Sequence, residues 1–241
     1  MQHYPSKRAV HAELARNLYK YPAAVRSVIS YVLSEIVIED TYGLWQLPRP
    51  PRFIIDIGAN FGCFSAAATH LFGSVSTVAV EPVPSTFSKL TTLLRSYQNV
   101  VPLAVAYGSG KPVTIKEGKN PFMNGPEGEG SVRHSVYGMP LVEMLNYLPA
   151  HRYGIAEVNI EDTFIKMDCE GGEAALTNPE NEADLLLLKD ALGFSIEFHG
   201  IDLISIWKEH LVEAVSKTHH VSWDREPTEE RPTATLRAIR K

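Results

Sequence analysis

Short apolar runs that each end at a glycine or an acidic residue constrain the fold of this chain most strongly. The first run, Phe53–Ile57, is short and continuous, which is typical of a strand buried on both faces of a parallel sheet. A glycine-containing loop at 58–62, a helix of small residues, Phe64–Phe72, and a second apolar run, Val75–Val80, follow it. Strands and helices that alternate through such short connections predict parallel pairing with right-handed crossovers, and therefore an α/β fold.

The same alternation continues toward the end of the chain. The further predicted strands are Val100–Val105, Phe164–Asp168, Phe194–Phe198, Val221–Trp223 and Ala234–Ile239. The further predicted helices are Ser85–Tyr97, Leu141–Leu148, Ala183–Leu188 and Ile201–Ser216, the first of them capped by Ser85. The last strand alternates apolar and polar residues, as expected for an antiparallel strand near an edge. We therefore predict a mostly parallel seven-stranded sheet flanked by helices.

Two segments differ from this pattern. Residues 1–50 carry apolar residues at three- and four-residue steps and predict an N-terminal helical extension or cap, divided at Pro22. Residues 51–241 then form one α/β domain. Within it, residues from about 107 to 160 predict a flexible insert. Its glycine-rich stretch Gly118–Gly130 is long for a plain connector, so we expect it to act as a lid over a bound ligand.

The composition is that of an ordinary globular protein and argues against several kinds of partner. The chain has 241 residues, 44% of them hydrophobic, and a net charge of -5, which provides no general attraction to nucleic acid or anionic membranes. Cys63 and Cys169 lack the partners of a zinc site. No segment resembles a signal peptide or is apolar enough to span a bilayer, so we expect a cytoplasmic protein. Edge strands or the N-terminal helices could form a homodimer.

Polar residues follow the first two strands, at the sheet edge where α/β proteins bind ligands. The first strand and its loop carry Asp56, Gly58, Ala59, Asn60 and Gly62. This loop is not the full dinucleotide fingerprint, and its carboxylate suits a cationic, amino-acid-like ligand better than a pyrophosphate. Glu81 ends the second strand, where an acidic residue typically accepts hydrogen bonds from ribose hydroxyls. The combination predicts a nucleoside ligand, and the alternative is a purely structural α/β domain.

The fourth and fifth strands end in carboxylates and a histidine. Asp168, Glu170 and Glu173 lie within six residues of one another, a concentration of charge that water, a cation or a metal must compensate. Glu197 and His199 lie on one face of the fifth strand, where the carboxylate could orient the histidine as a proton acceptor. Such groups can also hold Mg²⁺ or Mn²⁺, although the sequence spacing assigns no metal ligand. The alternative is that they only hold the strand ends together.

Four blocks of the sequence resemble the FkbM-type methyltransferases and occur in that family's order. The blocks are Phe53–Ser65, Val80–Pro82, Ile165–Glu173 and Ile196–His199. The resemblance covers about residues 53–200 and implies a Rossmann-like class I methyltransferase fold with S-adenosylmethionine as methyl donor. It also implies O-methylation of a hydroxyl group on a sugar, a polyketide or a related small molecule.

The resemblance further implies roles for individual residues. The cofactor-binding residues would be Asp56, Gly58, Ala59, Asn60, Gly62, Glu81 and Pro82. The loop residues would contact the methionine part of the cofactor, and Glu81 would hold its ribose. Asp168 and Glu170 would face the reacting centre, with His199 as the third candidate catalytic residue. The regions that would shape the acceptor pocket lie outside the resemblance, so the acceptor is not named by it.

Two other functions stay open. A methyltransferase for amines or nucleic acids is one, although the chain lacks an Asn/Asp-Pro-Pro-aromatic motif after the fourth strand and its acidic charge disfavours a nucleic-acid acceptor. A nucleoside-binding module without catalysis is the other. A dehydrogenase is disfavoured by the incomplete glycine pattern.

Overall fold

A computed structural model describes residues 4–16, 18, 23–73, 75–118, 130–151, 157–177, 181–200, 211–225, 228 and 233–241. Within these ranges the α-helices are α1 (Lys7–Arg16), α2 (Ala23–Leu33), α3 (Cys63–Phe72), α4 (Pro84–Leu94), α5 (Leu141–His151) and α6 (Glu182–Asp190). The strands are β1 (Phe53–Ile57), β2 (Ser76–Val80), β3 (Val100–Leu103), β4 (Ala106–Tyr107), β5 (Pro112–Glu117), β6 (Val132–Met139), β7 (Thr163–Met167), β8 (Gly193–His199), β9 (His219–Trp223) and β10 (Thr233–Arg240). A π-helical segment, Ser34–Glu39, continues α2, and 3₁₀ turns occupy Leu44–Gln46, Ile160–Asp162 and Gly172–Thr177.

The larger sheet has seven strands in the order β3-β2-β1-β7-β8-β10-β9. Strand β10 is antiparallel to both of its neighbours, and the other six strands run in one direction. This strand order, with one antiparallel strand next to the edge, confirms the predicted Rossmann-like class I methyltransferase fold. The order reverses between β1 and β7, so the carboxyl ends of these two strands border the crevice where such sheets bind ligands.

Strand β1 lies at the centre of the core because all five of its residues are buried. Ile55 and Ile57 pack on one face of the sheet, together with residues of α5. Ile54 points to the opposite face, where it belongs to the same cluster as Val10 and Ile29 of the N-terminal helices. The N-terminal helices pack against α3 and therefore share a hydrophobic core with this face of the sheet.

Helix α4 begins one residue earlier than the sequence suggests. Val83 occupies the N-cap position and makes no side-chain capping bond, and Pro84 is in the first turn. The predicted capping role of Ser85 is therefore wrong, because the fixed φ angle of the proline starts the helix before it. The Ser85 hydroxyl instead donates a hydrogen bond to the carboxylate of Glu117.

Strands and a helix occupy much of the stretch from about 107 to 160, for which the sequence predicts a flexible insert. Strands β5 and β6 form an antiparallel hairpin, and β6 also pairs with β4 in a three-stranded sheet. Helix α5 then buries Leu141, Met144 and Leu148 completely. Of the predicted lid at 118–130, the structure describes only the two end glycines. Pro22 and the first ten residues of the predicted helix at 201–216 also lie outside the described residues. Residues 211–215 of that helix are helical.

Among the residues that the structure describes, no helix combines the length and the apolar character needed to cross a membrane.

The loop after β1 comes very close to the end of β7 at Gly58. This residue has a φ of 73°, and a Cβ atom built on it would lie 1.7 Å from the backbone carbonyl oxygen of Asp168. Both the left-handed backbone and the lack of space require glycine here. The contact sets how closely the two strand ends approach each other at the crevice.

We expect Gly58→Ala to lower the free energy of unfolding much more than Gly43→Ala. Gly43 has a φ of 71° and a ψ of 27°, inside the left-handed helical region, and a Cβ atom there would lie 3.4 Å from the Arg237 side chain, an ordinary contact. Its variant therefore reports mainly the left-handed penalty of about 1–2 kcal/mol. The clash at Gly58 should add roughly 3 kcal/mol or more. Urea unfolding of both variants measures the difference, and equal losses would show that the β1–β7 contact does not demand glycine.

Candidate active site

A cavity of about 610 Å³ lies at the carboxyl ends of β1, β2, β7 and β8. Its size is typical of small-molecule sites. Eight of the residues predicted to form the site line it: Gly58, Ala59, Asn60, Glu81, Pro82, Asp168, Glu170 and His199. The π-helical segment after α2 and the residues following it form the opposite wall, with Glu35, Ile36 and Tyr42. The structure thus brings most of the predicted residues together and adds a wall from the N-terminal segment.

The buried ammonium group of Lys166 organises the floor of this cavity. Its Nζ atom donates hydrogen bonds to the carbonyl oxygens of Gly58 at 2.7 Å and Ile57 at 3.3 Å. It also lies 3.4 Å from Oδ1 of Asp56 and 3.6 Å from Oδ2 of Asp168. Burial lowers the pKa of Lys166, but the two carboxylates outweigh this effect and leave the pKa raised, so the group stays cationic.

Asp56 lies below the cavity wall and does not contact the cavity. Its side chain is fully buried, with Oδ2 accepting a hydrogen bond from the Ser65 hydroxyl at 2.6 Å and Oδ1 facing Lys166. Burial raises the pKa of Asp56, and the charge of Lys166 opposes that effect. The predicted contact between Asp56 and the methionine part of a cofactor stays a prediction. The carboxylate faces Ser65 and Lys166, and Lys166 itself lines the cavity.

Gly62 is also absent from the cavity wall. It is the N-cap residue of α3, with a φ of 87°, and a Cβ atom there would lie 2.9 Å from the side chain of Leu94. Its glycine is explained by the turn into α3 and by packing against α4. The predicted direct contact of Gly62 with a cofactor stays a prediction.

Glu81 presents a carboxylate that the backbone holds in place. Oε2 accepts a hydrogen bond from the N–H of Asn60 at 3.0 Å, and Oε1 accepts one from the N–H of Val83 at 2.9 Å. Each oxygen retains capacity to accept a further hydrogen bond. Burial raises the pKa of Glu81 to about 7. The carboxylate is therefore oriented in advance for a ligand with two adjacent hydroxyl groups.

Asp168 is held from the N-terminal segment by Tyr42. The Tyr42 hydroxyl donates a 2.8 Å hydrogen bond to Oδ2 of Asp168 and lies 3.4 Å from Oε2 of Glu197. Burial raises the pKa of Asp168, but the charges of Lys166 and His199 and the hydrogen bond from Tyr42 outweigh it, so the pKa is lowered. Asp168 is thus an ionised carboxylate at the centre of the site.

His199 is surrounded by carboxylates. Its Nδ1 atom is hydrogen-bonded to the fully buried Glu173, and its Nε2 atom lies 3.8 Å from Oδ1 of Asp168 and 3.5 Å from Oε2 of Glu170. Burial lowers the pKa of His199, but these carboxylates outweigh it and raise the pKa to about 10. These carboxylates favour the protonated imidazole, and the role of His199 as a proton acceptor stays a prediction.

Two further carboxylates that face the cavity have raised pKa values. Burial raises the pKa of Glu170 to about 7, and burial together with the charge of Asp168 raises that of Glu197 to about 8. Glu197 has a cationic neighbour in Arg225, whose guanidinium lies 3.6 Å from Oε1. Glu170 adopts a φ of 53°, a backbone conformation uncommon for a residue with a side chain.

Acidic side chains outnumber basic ones in the cavity wall, although burial weakens the acidity of Glu81, Glu170 and Glu197. The acidic residues of the wall are Glu35, Glu39, Glu81, Asp168, Glu170, Glu197 and Asp224, whereas its basic residues are Lys166, His199 and Arg225. A cavity with this balance attracts cationic ligands and repels phosphates.

Two residues of the site were missed from the sequence for different reasons. Lys166 lies within the block that resembles the FkbM-type methyltransferases, and a lysine inside an apolar strand signals a buried partner. Tyr42 gave no such signal, because it belongs to the N-terminal segment and lies 126 positions from Asp168 in the sequence.

No family model matches the chain, so the resemblance to FkbM-type methyltransferases stays a prediction. No curated protein matches it either. Several solved structures are similar. The precorrin-6y C5,15-methyltransferase of Geobacter metallireducens is 16% identical over 82% of this chain and 85% of its own, with a TM-score of 0.45. Fibrillarin of Aeropyrum pernix, solved with natively bound S-adenosyl-L-methionine, is 13% identical over 85% of this chain and 74% of its own, with a TM-score of 0.43.

An rRNA methylase from Streptococcus thermophilus is 10% identical over 85% of this chain and 95% of its own, with a TM-score of 0.46. Because these TM-scores lie below 0.5, the similarities give no evidence of function beyond the strand order. Evidence for the function has to come from the residues that line the cavity.

We expect Lys166→Met to destabilise the fold by about 3–5 kcal/mol, because it leaves the fully buried Asp56 and the partly buried Asp168 without their cation. Arg52→Met is the control, since Arg52 is largely exposed and lies 3.9 Å from Asp162, and it should cost less than about 1 kcal/mol. Chemical denaturation measures both. Similar losses for the two variants would contradict the organising role of Lys166.

We expect Glu173→Gln to lower the pKa of His199 from about 10 toward its ordinary value near 6.5. The variant removes the negative charge that faces Nδ1 but keeps the shape of the side chain. NMR titration of the imidazole resonances measures the shift, with Glu117→Gln as a control outside the cavity. An unchanged pKa would show that Glu173 does not hold the proton on His199.

Proposed function

We propose that this chain is an S-adenosylmethionine-dependent methyltransferase that methylates a hydroxyl group of a small molecule. The observation that carries the proposal is the carboxylate of Glu81, which backbone N–H groups fix beside the loop after β1. It lies at the end of the second strand of the βαβ unit, the position from which acidic residues bind ribose hydroxyls.

The charge of the cavity wall also supports this cofactor. S-adenosylmethionine carries an ammonium and a sulfonium group, and the acidic side chains in the wall outnumber the basic ones by seven to three. The loop of Gly58, Ala59 and Asn60 lies between Glu81 and Asp168. With the ribose held by Glu81, the amino-acid end and the methyl group would lie nearer to Asp168.

The remaining half of the cavity would hold the acceptor. Its wall combines Glu35 and Tyr42 from the N-terminal segment with Glu197 and Arg225 from the far side of the sheet. When bound, S-adenosylmethionine would supply an electrophilic methyl group for transfer to an acceptor oxygen, with S-adenosylhomocysteine as the second product. The residues of this chain would align the hydroxyl, and the carboxylates around Asp168 would receive its proton.

A nucleic-acid acceptor is disfavoured by the same charges. Phosphate groups would have to approach a wall in which carboxylates predominate. A small, uncharged or cationic molecule fits the cavity better.

We expect S-adenosylhomocysteine to bind with a micromolar Kd and Glu81→Gln to weaken binding by about 10- to 100-fold, because charge-assisted hydrogen bonds to the ribose contribute about 1.5–3 kcal/mol. Isothermal titration calorimetry measures both. Glu117→Gln is the matched control, since Glu117 bonds Ser85 and His134 outside the cavity. Absence of binding to folded wild-type protein, or equal binding by both variants, would refute the proposed cofactor site.

We also expect the affinity for S-adenosylhomocysteine to rise as the pH increases from 6 to 8. Burial raises the pKa of Glu81 to about 7, so the carboxylate that can accept from both ribose hydroxyls predominates only above this pH. Near pH 6 about nine-tenths of it is protonated, and the affinity should fall by up to about ten-fold. Titrations at three pH values should show this rise in the wild type and a flatter profile in Glu81→Gln. Identical profiles would contradict it.

A further inference from the structure

We propose that Asp168, Glu170 and His199 form a binding site for a divalent cation of the Mg²⁺/Mn²⁺ class. One ligand atom from each residue lies within 4.8 Å of the other two. Two carboxylate oxygens and one imidazole nitrogen make an oxygen-rich donor set with a single nitrogen, which such ions accept. The three residues come from the ends of β7 and β8, which the sheet holds side by side.

The distances fit ligands that share an ion better than groups that bond each other directly. Nε2 of His199 lies 3.5 Å from the Glu170 oxygen and 3.8 Å from the Asp168 oxygen, beyond the usual range of about 2.7–3.2 Å for an N–H···O hydrogen bond. Ligands bound to one ion at about 2.1 Å lie about 3.0–3.4 Å from each other, depending on the coordination geometry. An inward movement of a few tenths of an ångström would bring the two His199 distances into this range. The Asp168 and Glu170 oxygens, which lie within 4.8 Å of each other, would turn toward the same ion.

Partners outside the set orient its members. Glu173 accepts the hydrogen bond from Nδ1 of His199, which leaves Nε2 directed at the two carboxylates. Tyr42 donates to Oδ2 of Asp168, which leaves Oδ1 on the side of His199. Metal-binding histidines and carboxylates are typically fixed by such outer partners, which select the nitrogen or oxygen that faces the ion. These two partners belong to different segments, the 3₁₀ turn after β7 and the N-terminal segment.

The charge around the site supplies an independent reason for a cation. Glu173 is completely buried, and its Oε2 atom has no hydrogen-bond partner in the described part of the chain. The cavity wall as a whole has seven acidic and three basic side chains, so one bound S-adenosylmethionine, with a net charge of about +1, would leave it negative. A divalent ion would take the position of the imidazole proton and offset the remaining charge.

The catalytic role of the ion rests on the proposed function. An ion held by these residues would lie beside the carboxylates that face the acceptor, where it could bind the acceptor hydroxyl and lower its pKa. The acceptor would then be a molecule whose hydroxyl oxygen can reach a metal ion. Binding of the ion itself depends only on the three residues, so it can be tested without cofactor or acceptor.

The test is a titration of the purified full chain with Mn²⁺, followed by the electron paramagnetic resonance signal of the free ion. We expect one ion per chain with a Kd below about 1 mM, and competition by Mg²⁺. His199→Ala and Glu170→Gln should each weaken binding by at least about ten-fold. His134→Ala is the matched control, because His134 also faces a carboxylate, Glu117, at 2.6 Å but lies outside the set; it should bind like the wild type.

Circular dichroism checks that each variant is folded, and Glu170→Gln, at a partly exposed position, keeps the test decisive should His199→Ala fail to fold. No Mn²⁺ binding below about 1 mM, or equal binding by wild type and Glu170→Gln, would overturn the metal site. A separate titration with S-adenosylhomocysteine distinguishes the two proposals: cofactor binding without Mn²⁺ binding refutes only the metal site, and Mn²⁺ binding without cofactor binding refutes only the cofactor site.

Discussion

The ion pairs of Lys166 with Asp56 and Asp168 are the interaction on which the rest of the site depends. One buried ammonium group joins two strands, because it contacts the carboxylate within β1, the carboxylate after β7 and the carbonyl oxygens where β1 turns into its loop. Removing such a charge from water is costly unless every partner is in place. Gly58 allows the same two strand ends to approach closely, since no side chain fits between its backbone and that of Asp168. The crevice is therefore built around a fixed separation of β1 and β7.

The charged groups that line the cavity lie in two halves. On the side of β2, backbone N–H groups hold the Glu81 carboxylate for a ligand with adjacent hydroxyls. On the side of β8, Asp168 and His199 are each held by an outer partner, Tyr42 and Glu173 respectively. Under the proposed function the first half would hold the nucleoside, and the second would hold the reacting hydroxyl group with a cation beside it. Residues of the N-terminal segment line the second half, so the proposal links this segment to the shape of the acceptor pocket.

The sequence predicts the parts of the structure that depend on short-range patterns. Continuous apolar runs predicted β1, β2, β7 and β8 because strands buried on both faces need apolar residues at every position. Parallel topology then placed Glu81, Asp168 and His199 at one sheet edge. The pattern could not reveal that Asp56 points at Lys166 and away from the cavity, or that carboxylates keep His199 protonated, since both depend on charges brought together by folding. Nothing in the sequence indicated the role of Tyr42, because its partner Asp168 is distant in the sequence. Nothing in it indicated the β5–β6 hairpin either, because the pattern in that stretch is irregular.

Co-crystallisation with S-adenosylhomocysteine tests the function of the crevice most directly. Both ribose hydroxyls should lie within about 3 Å of the Glu81 carboxylate, and the sulfur should lie on the side of Asp168. The floor formed by Lys166 and Asp56 should stay in place. A cavity that remains empty at saturating ligand, or a ligand bound elsewhere on the chain, would show that this crevice is not a methyl-donor site.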